Sequence, residues 1–206
     1  DHLFGERGVI RRLMAAGKIP NMIFFGPPGT GKTTAAEIVA RESDMVFHRL
    51  NATTATLSDV KDILTSTNNL FSAGGILLYI DEIQYFNKKQ QQALLEYIED
   101  GRVTLITSTT ENPHFYIHNA RSSLFEFKPV ASAACAVALR RAVDYLNERE
   151  NRNIKASDEV LTAIARSTSG DVRHAMGVLE NAYYMAEEEL TQDILDQLHV
   201  GVGNFD

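Results

Sequence analysis

The stretch GPPGTGKTT at residues 26–34 constrains this chain more than any other feature. Gly26, Gly31, Lys32 and Thr33 have the spacing of a phosphate-binding loop: a glycine, four residues, then Gly-Lys-Thr. The residue types follow from the task. Backbone N–H groups must close around a β-phosphate, and side chains would block that approach, hence Gly29 and Gly31. The loop opens a helix, whose N-terminus favours anions. Lys32 can reach the β- and γ-phosphates, and Thr33 offers a hydroxyl to Mg2+. The context agrees, with the apolar run Met22–Phe25 before the loop and helical spacing of Ala36, Ile38, Val39 and Ala40 after it. An incidental glycine turn requires neither flank. The expected nucleotide contacts are Gly26, Pro28, Gly29, Thr30, Gly31, Lys32, Thr33 and Thr34, and the expected nucleotide is ATP.

A second motif lies downstream. Ile76–Ile80 is five apolar residues in a row, the pattern of a strand buried on both faces, and Asp81-Glu82 follows at once. An apolar strand ending in an acid is the other half of a nucleotide site. Asp81 would hold Mg2+ through water, and Glu82 is placed to polarise the attacking water. An acidic pair that merely opens the next segment is the plainer reading. Two motifs in the right order and context outweigh it.

The first part of the chain alternates strands with amphipathic helices. Strands are expected at Met22–Phe25, Met45–Leu50, Ile76–Ile80, Val103–Ser108 and Leu124–Phe127, and helices at Thr33–Arg41, Leu57–Leu64 and Gln90–Ile98, the last stopped by Asp100-Gly101. This predicts an α/β fold, a P-loop αβα sandwich around a five-stranded parallel sheet. After Lys128-Pro129 no strand is expected. Ala131–Glu150, Ser157–Ser167, Asp171–Glu188 and Thr191–His199 read as helices, with Ser157 and Thr191 as caps. The expected division is a nucleotide-binding domain over 1–129 and a small all-α lid over 130–206.

The 206 residues include 44% hydrophobic and 23% charged residues, ordinary for a globular protein. The net charge of −7 is uneven. Residues 1–130 carry 13 basic and 14 acidic side chains, whereas 131–206 carry 7 and 13. Composition therefore gives no basic nucleic-acid surface, and any DNA contact must be local or shared among subunits. No apolar run is long enough to span a bilayer, so no membrane partner is expected. The one cysteine, Cys135, cannot form an internal disulfide, which suits a reducing cytosol, and it reads as small apolar filler. The chain begins at Asp1 and ends at Asn204-Phe205-Asp206, so it is expected to be part of a longer protein.

GPPGTGKTTAAEIVA, LLYIDEIQYFNKKQQQALLEYIEDGRVTLITSTTENPHF and SGDVRHAMGVLE resemble the AAA+ ATPases. Within them, DEIQYFNKKQQ and STTENP resemble the replication-associated recombination protein A group, related to clamp-loader subunits and including Werner helicase interacting protein in eukaryotes. The resemblance covers nearly the whole chain. It implies a Mg2+-dependent, oligomeric ATPase acting in replication, recombination or repair at stalled forks. It also implies single-strand/double-strand DNA junctions and replication proteins as partners, assembly through a further C-terminal domain, and a cytoplasmic, nucleoid-associated place in a bacterium. Thr109 matches the sensor 1 position that orients water near the γ-phosphate, with Thr110 as the fallback. Arg173, in GDVR, matches the sensor 2 arginine, and hydrolysis does build phosphoryl charge that arginine stabilises. Arg121 matches the arginine finger that acts on a neighbour's ATP. The segment Asn119-Ala120-Arg121-Ser122 is about three residues shorter than the family pattern, either a deletion or a closed-over gap.

Other features carry less. His114 and His118 lack a third metal ligand. Lys88-Lys89 with Tyr85 and Phe86 could touch DNA by charge and stacking, but such residues more often pack a helix end. His2-Leu3-Phe4-Gly5 resembles the end of an adenine-side segment. An alternative function is a clamp-loader-like scaffold that binds ATP as an assembly switch with little hydrolysis; a small-molecule kinase is weaker still, for want of a substrate-phosphate arginine set.

Overall fold

The five expected strands form one parallel sheet. In the computed structural model, residues 3–5, 8–67, 75–99, 101, 103–113 and 122–198 are described. The strands are β1 (Met22–Phe25), β2 (Val46–Asn51), β3 (Ile76–Asp81), β4 (Val103–Thr109) and β5 (Ser123–Glu126), in the order β2-β3-β4-β1-β5. The helices of this unit are α1 (Val9–Ala15), α2 (Lys32–Glu42), α3 (Leu57–Thr67) and α4 (Lys88–Glu99). Every strand pair is parallel, so every connection is a crossover, and α2, α3 and α4 supply three of them. Register pairs Phe25 with Thr109, and Asn51 with Asp81, so the carboxyl ends of these strands share one edge. In open parallel sheets that edge is where ligands bind.

Alternation along each strand separates two cores. On one face Met22, Phe24, Leu77, Tyr79 and Ile106 pack with Ala35, Ala36, Val39 and Ala40 of α2. On the other, Leu78, Ile80, Val103 and Leu105 pack with Val60 and Leu64 of α3 and Leu94 of α4. This parity decides which strand-end side chains face α2.

The chain divides into two compact units, one of residues 1–26 and 31–127, the other of 27–30 and 128–206. The second contains α5 (Ser132–Glu150), α6 (Asp158–Ser167), α7 (Val172–Met185) and α8 (Gln192–Gln197). Its core is Cys135, Leu139, Val143 and Leu146 of α5 against Leu161, Ile164, Leu179 and Tyr183. Ser157, Asp171 and Thr191 cap α6, α7 and α8, each side chain accepting a backbone N–H from three residues on. The expectation of no strands here needs correction. β6 (Lys155–Ala156) and β7 (Glu189–Leu190) form a two-residue parallel ladder, too short to leave a pattern in the sequence. Among the described residues, no helix is long and apolar enough to cross a membrane.

Candidate nucleotide-binding site

The first turn of α2 begins directly after the glycine loop. Lys32 is its first residue, and although charged it is only 8% exposed. A buried ammonium needs partners. One is the Gly26 carbonyl, which accepts from Nζ at 2.8 Å and folds the side chain back over the loop. Thr33 follows, half-buried, its Oγ1 3.2 Å from the Tyr79 hydroxyl, while Thr34 is exposed. Gly26 is held at φ 140 with its N–H on the Thr109 carbonyl.

The loop tip, Pro27–Thr30, belongs to the helical unit. Thr30 Oγ1 donates to the Pro27 carbonyl at 2.9 Å, Gly29 accepts from the Val172 N–H at 3.1 Å, and Pro28 is exposed. The position a Cβ on Gly29 would take is filled by the Asp171 carboxylate. A side chain at 29 therefore could not coexist with the α7 cap. Arg173 lies exposed in the first turn of that helix.

Asp81 ends β3, and three side chains bond its carboxylate. Its Oδ1 accepts from the Ser108 hydroxyl and from the Tyr79 hydroxyl at 3.3 Å, and its Oδ2 from Arg49 at 3.2 Å. Burial pushes the Tyr79 phenol up to about 12, so at neutral pH it carries its proton. Glu82 comes next, in left-handed backbone at φ 56, ψ 49, a conformation a non-glycine residue adopts only when its surroundings enforce it. Its N–H donates to Ser108 Oγ at 3.3 Å, and its carboxylate accepts from Gln84 Nε2, which also reaches Thr110 Oγ1 at 3.5 Å.

The two threonines after Ser108 part company. Thr109 continues the Val103–Leu105 face of β4, away from α2, and its hydroxyl accepts from the Glu111 N–H at 3.0 Å. Thr110 lies exposed in the bend just past β4, its Oγ1 3.5 Å from Gln84 Nε2. Arg121, His114 and His118 lie outside the described residues. Phe86 is buried and Tyr85 exposed beside exposed Lys88 and Lys89.

The donor set fits Mg2+. That ion is usually held by one or two carboxylates together with substrate phosphates and water, not by a cage of protein ligands. Asp81 at the end of β3 with the Thr33 hydroxyl of α2 is such a set, and among the described residues no group of three His, Cys, Asp or Glu side chains could hold a metal alone. Sequence reasoning does not find Tyr79, Ser108 or Arg49 as site residues. Tyr79 sits inside an apolar run and reads as core until its hydroxyl partners are known.

Residues 22–129 match the family described as ATPase family associated with various cellular activities (AAA). The chain belongs to the AAA ATPase family. It is 36% identical over 193 residues to Replication-associated recombination protein A of Haemophilus influenzae, an overlap of 91% of this chain and 43% of that protein. It is 32% identical over 187 residues to ATPase WRNIP1 of Dictyostelium discoideum, covering 89% of this chain and 21% of that protein. It thus spans less than half the length of these curated relatives. Among solved structures, RuvB of Thermotoga maritima, a Holliday junction branch migration motor, superposes with a TM-score of 0.70 at 22% identity, covering 91% of this chain and 63% of the other. That likeness supports the AAA fold.

Proposed function

We propose that this chain binds Mg2+-ATP and hydrolyses it, and that the whole protein couples turnover, as an oligomer, to DNA in replication, recombination or repair. The observation that supports this reading is the Tyr79 hydroxyl, which lies 3.2 Å from Thr33 Oγ1 after the glycine loop and 3.3 Å from Asp81 Oδ1 at the carboxyl end of β3. Lys32 neutralises the β- and γ-phosphates. Thr33 and Asp81 would hold Mg2+, which when bound neutralises charge on the phosphates. Glu82 takes a proton from the attacking water, and the turn at Ile83–Tyr85 fixes where its carboxylate points. Residues 130–206 serve as a lid, from which Arg173 stabilises phosphoryl charge. Arg121 would act on ATP of a neighbouring subunit. DNA as partner rests on the named relatives, with exposed Tyr85, Lys88 and Lys89 as a candidate local contact, and nucleoid association in a bacterium follows from it.

Two measurements follow. Thr110→Val is expected to lower kcat about 10- to 100-fold, because water near Glu82 loses an oriented hydroxyl, while Thr109→Val leaves kcat near wild type. The reverse ranking in steady-state kinetics would return the sensor role to Thr109. For the wider reading, the steady-state ATPase rate of the full-length protein is expected to rise when DNA with a single-strand/double-strand junction is added. Robust turnover indifferent to DNA would keep the ATPase chemistry and move the search to a protein substrate.

A further inference from the structure

Tyr79 precedes Asp81 by two residues on β3, so both side chains lie on the face toward α2. The tyrosine is fully buried, and a buried phenol needs hydrogen-bond partners. At the head of the site it finds Thr33 Oγ1 at 3.2 Å and Asp81 Oδ1 at 3.3 Å, and the Ser108 hydroxyl also interacts with it. The direction of these bonds follows from proton counting. A carboxylate ion-paired to Arg49 accepts only, so the phenol proton goes to Asp81. The phenol oxygen can then only accept from Thr33. The Thr33 proton is thereby turned toward Tyr79, and the lone pairs of Oγ1 are left for another acceptor of electron density.

We infer that Tyr79 is a positioning residue for a divalent cation bound together with a nucleotide, orienting the Thr33 hydroxyl and the Asp81 carboxylate through one shared phenol. The inference rests on the reading of Thr33 and Asp81 as the cation's oxygens. A valine, leucine or phenylalanine at 79 would fill the same core but leave the Thr33 proton free to rotate into the cation's position. Ser108 also interacts with the phenol and bonds Asp81 and the Glu82 N–H, and Tyr79 is the residue that joins Thr33 to Asp81.

The test is a titration of fluorescent ADP binding to the chain, in EDTA and across Mg2+ concentrations, for wild type, Tyr79→Phe and Lys32→Ala. Tyr79→Phe keeps the ring that stacks on Phe47 and removes only the oxygen. Its affinity in EDTA should match wild type, and the Mg2+ concentration at half effect should rise about fivefold, the worth of one hydrogen bond. A thermal melt without nucleotide should change little. An unchanged Mg2+ midpoint overturns the inference while leaving the nucleotide reading intact. An equal loss of affinity in EDTA and in Mg2+ also overturns it, since that marks a purely structural role. Lys32→Ala binding ADP as well as wild type would overturn the nucleotide reading itself, and the inference with it.

Discussion

Replacing Glu82 by Gln is expected to leave ATP bound and to slow its hydrolysis about 10²- to 10⁴-fold, the span of general-base catalysis. The substitution is nearly isosteric. It keeps the Cβ, so the left-handed backbone at 82 bears the same strain in both proteins. The hydrogen bond of its N–H to Ser108 is untouched. What changes is the carboxylate, which can accept a proton from water where the amide cannot. The Asp81 network with Tyr79, Ser108 and Arg49 does not involve the Glu82 side chain, so cation and nucleotide affinity should be preserved. Single-turnover hydrolysis beside equilibrium nucleotide binding separates the two effects. Wild-type turnover in the variant would remove Glu82 as the base. Loss of binding would show that the residue holds the site together structurally.

Most of the sheet and the helices of the second unit are legible in the amino-acid sequence. Strands β1 and β3 are apolar runs, and the caps Ser157 and Thr191 announce α6 and α8 by side-chain chemistry. The first helix, α1, leaves no such signal, because Gly8 caps it without a side chain and it is only seven residues long. The β6–β7 ladder is equally silent, because Lys155-Ala156 and Glu189-Leu190 pair two residues each, and so few positions cannot show alternation. At the site, the loop and Asp81-Glu82 are local patterns and can be read directly. The partners of Asp81 are not local. Arg49 and Ser108 come from strands on either side of β3, and only the register brings them to one carboxylate. Thr109 ends β4, and its direction away from α2 depends on parity that Ile106 and Leu105 fix by packing in opposite cores.

Gly26→Ala tests whether the start of the loop is bound to the sheet as tightly as the geometry indicates. A Cβ at 26 would overlap the Phe127 carbonyl oxygen, and the backbone there is at φ +140. The obstructing atom is backbone and cannot swing aside. Phe127 donates its own N–H to the Phe25 carbonyl at 2.7 Å, and its ring packs on Phe24 with centroids 4.9 Å apart. Gly26 cannot retreat either, since its N–H is bonded to the Thr109 carbonyl at 3.2 Å. Relief requires breaking the β1–β5 register or the β1–β4 one, so the cost is expected to be about 3 kcal/mol or more. At about 2–4 °C per kcal/mol for a chain of this size, that lowers the melting temperature by about 6–12 °C. Nucleotide affinity should fall as well, because the Gly26 carbonyl anchors the Lys32 ammonium. Gly17→Ala is the control: φ is +65 there and nothing lies within 4 Å of the added carbon. It should cost only the left-handed penalty, about 1–2 kcal/mol. Equal melting shifts for the two variants would mean that the clash at Phe127 is relieved by a small local movement, and that the loop is less firmly joined to β5 than its hydrogen bonds imply.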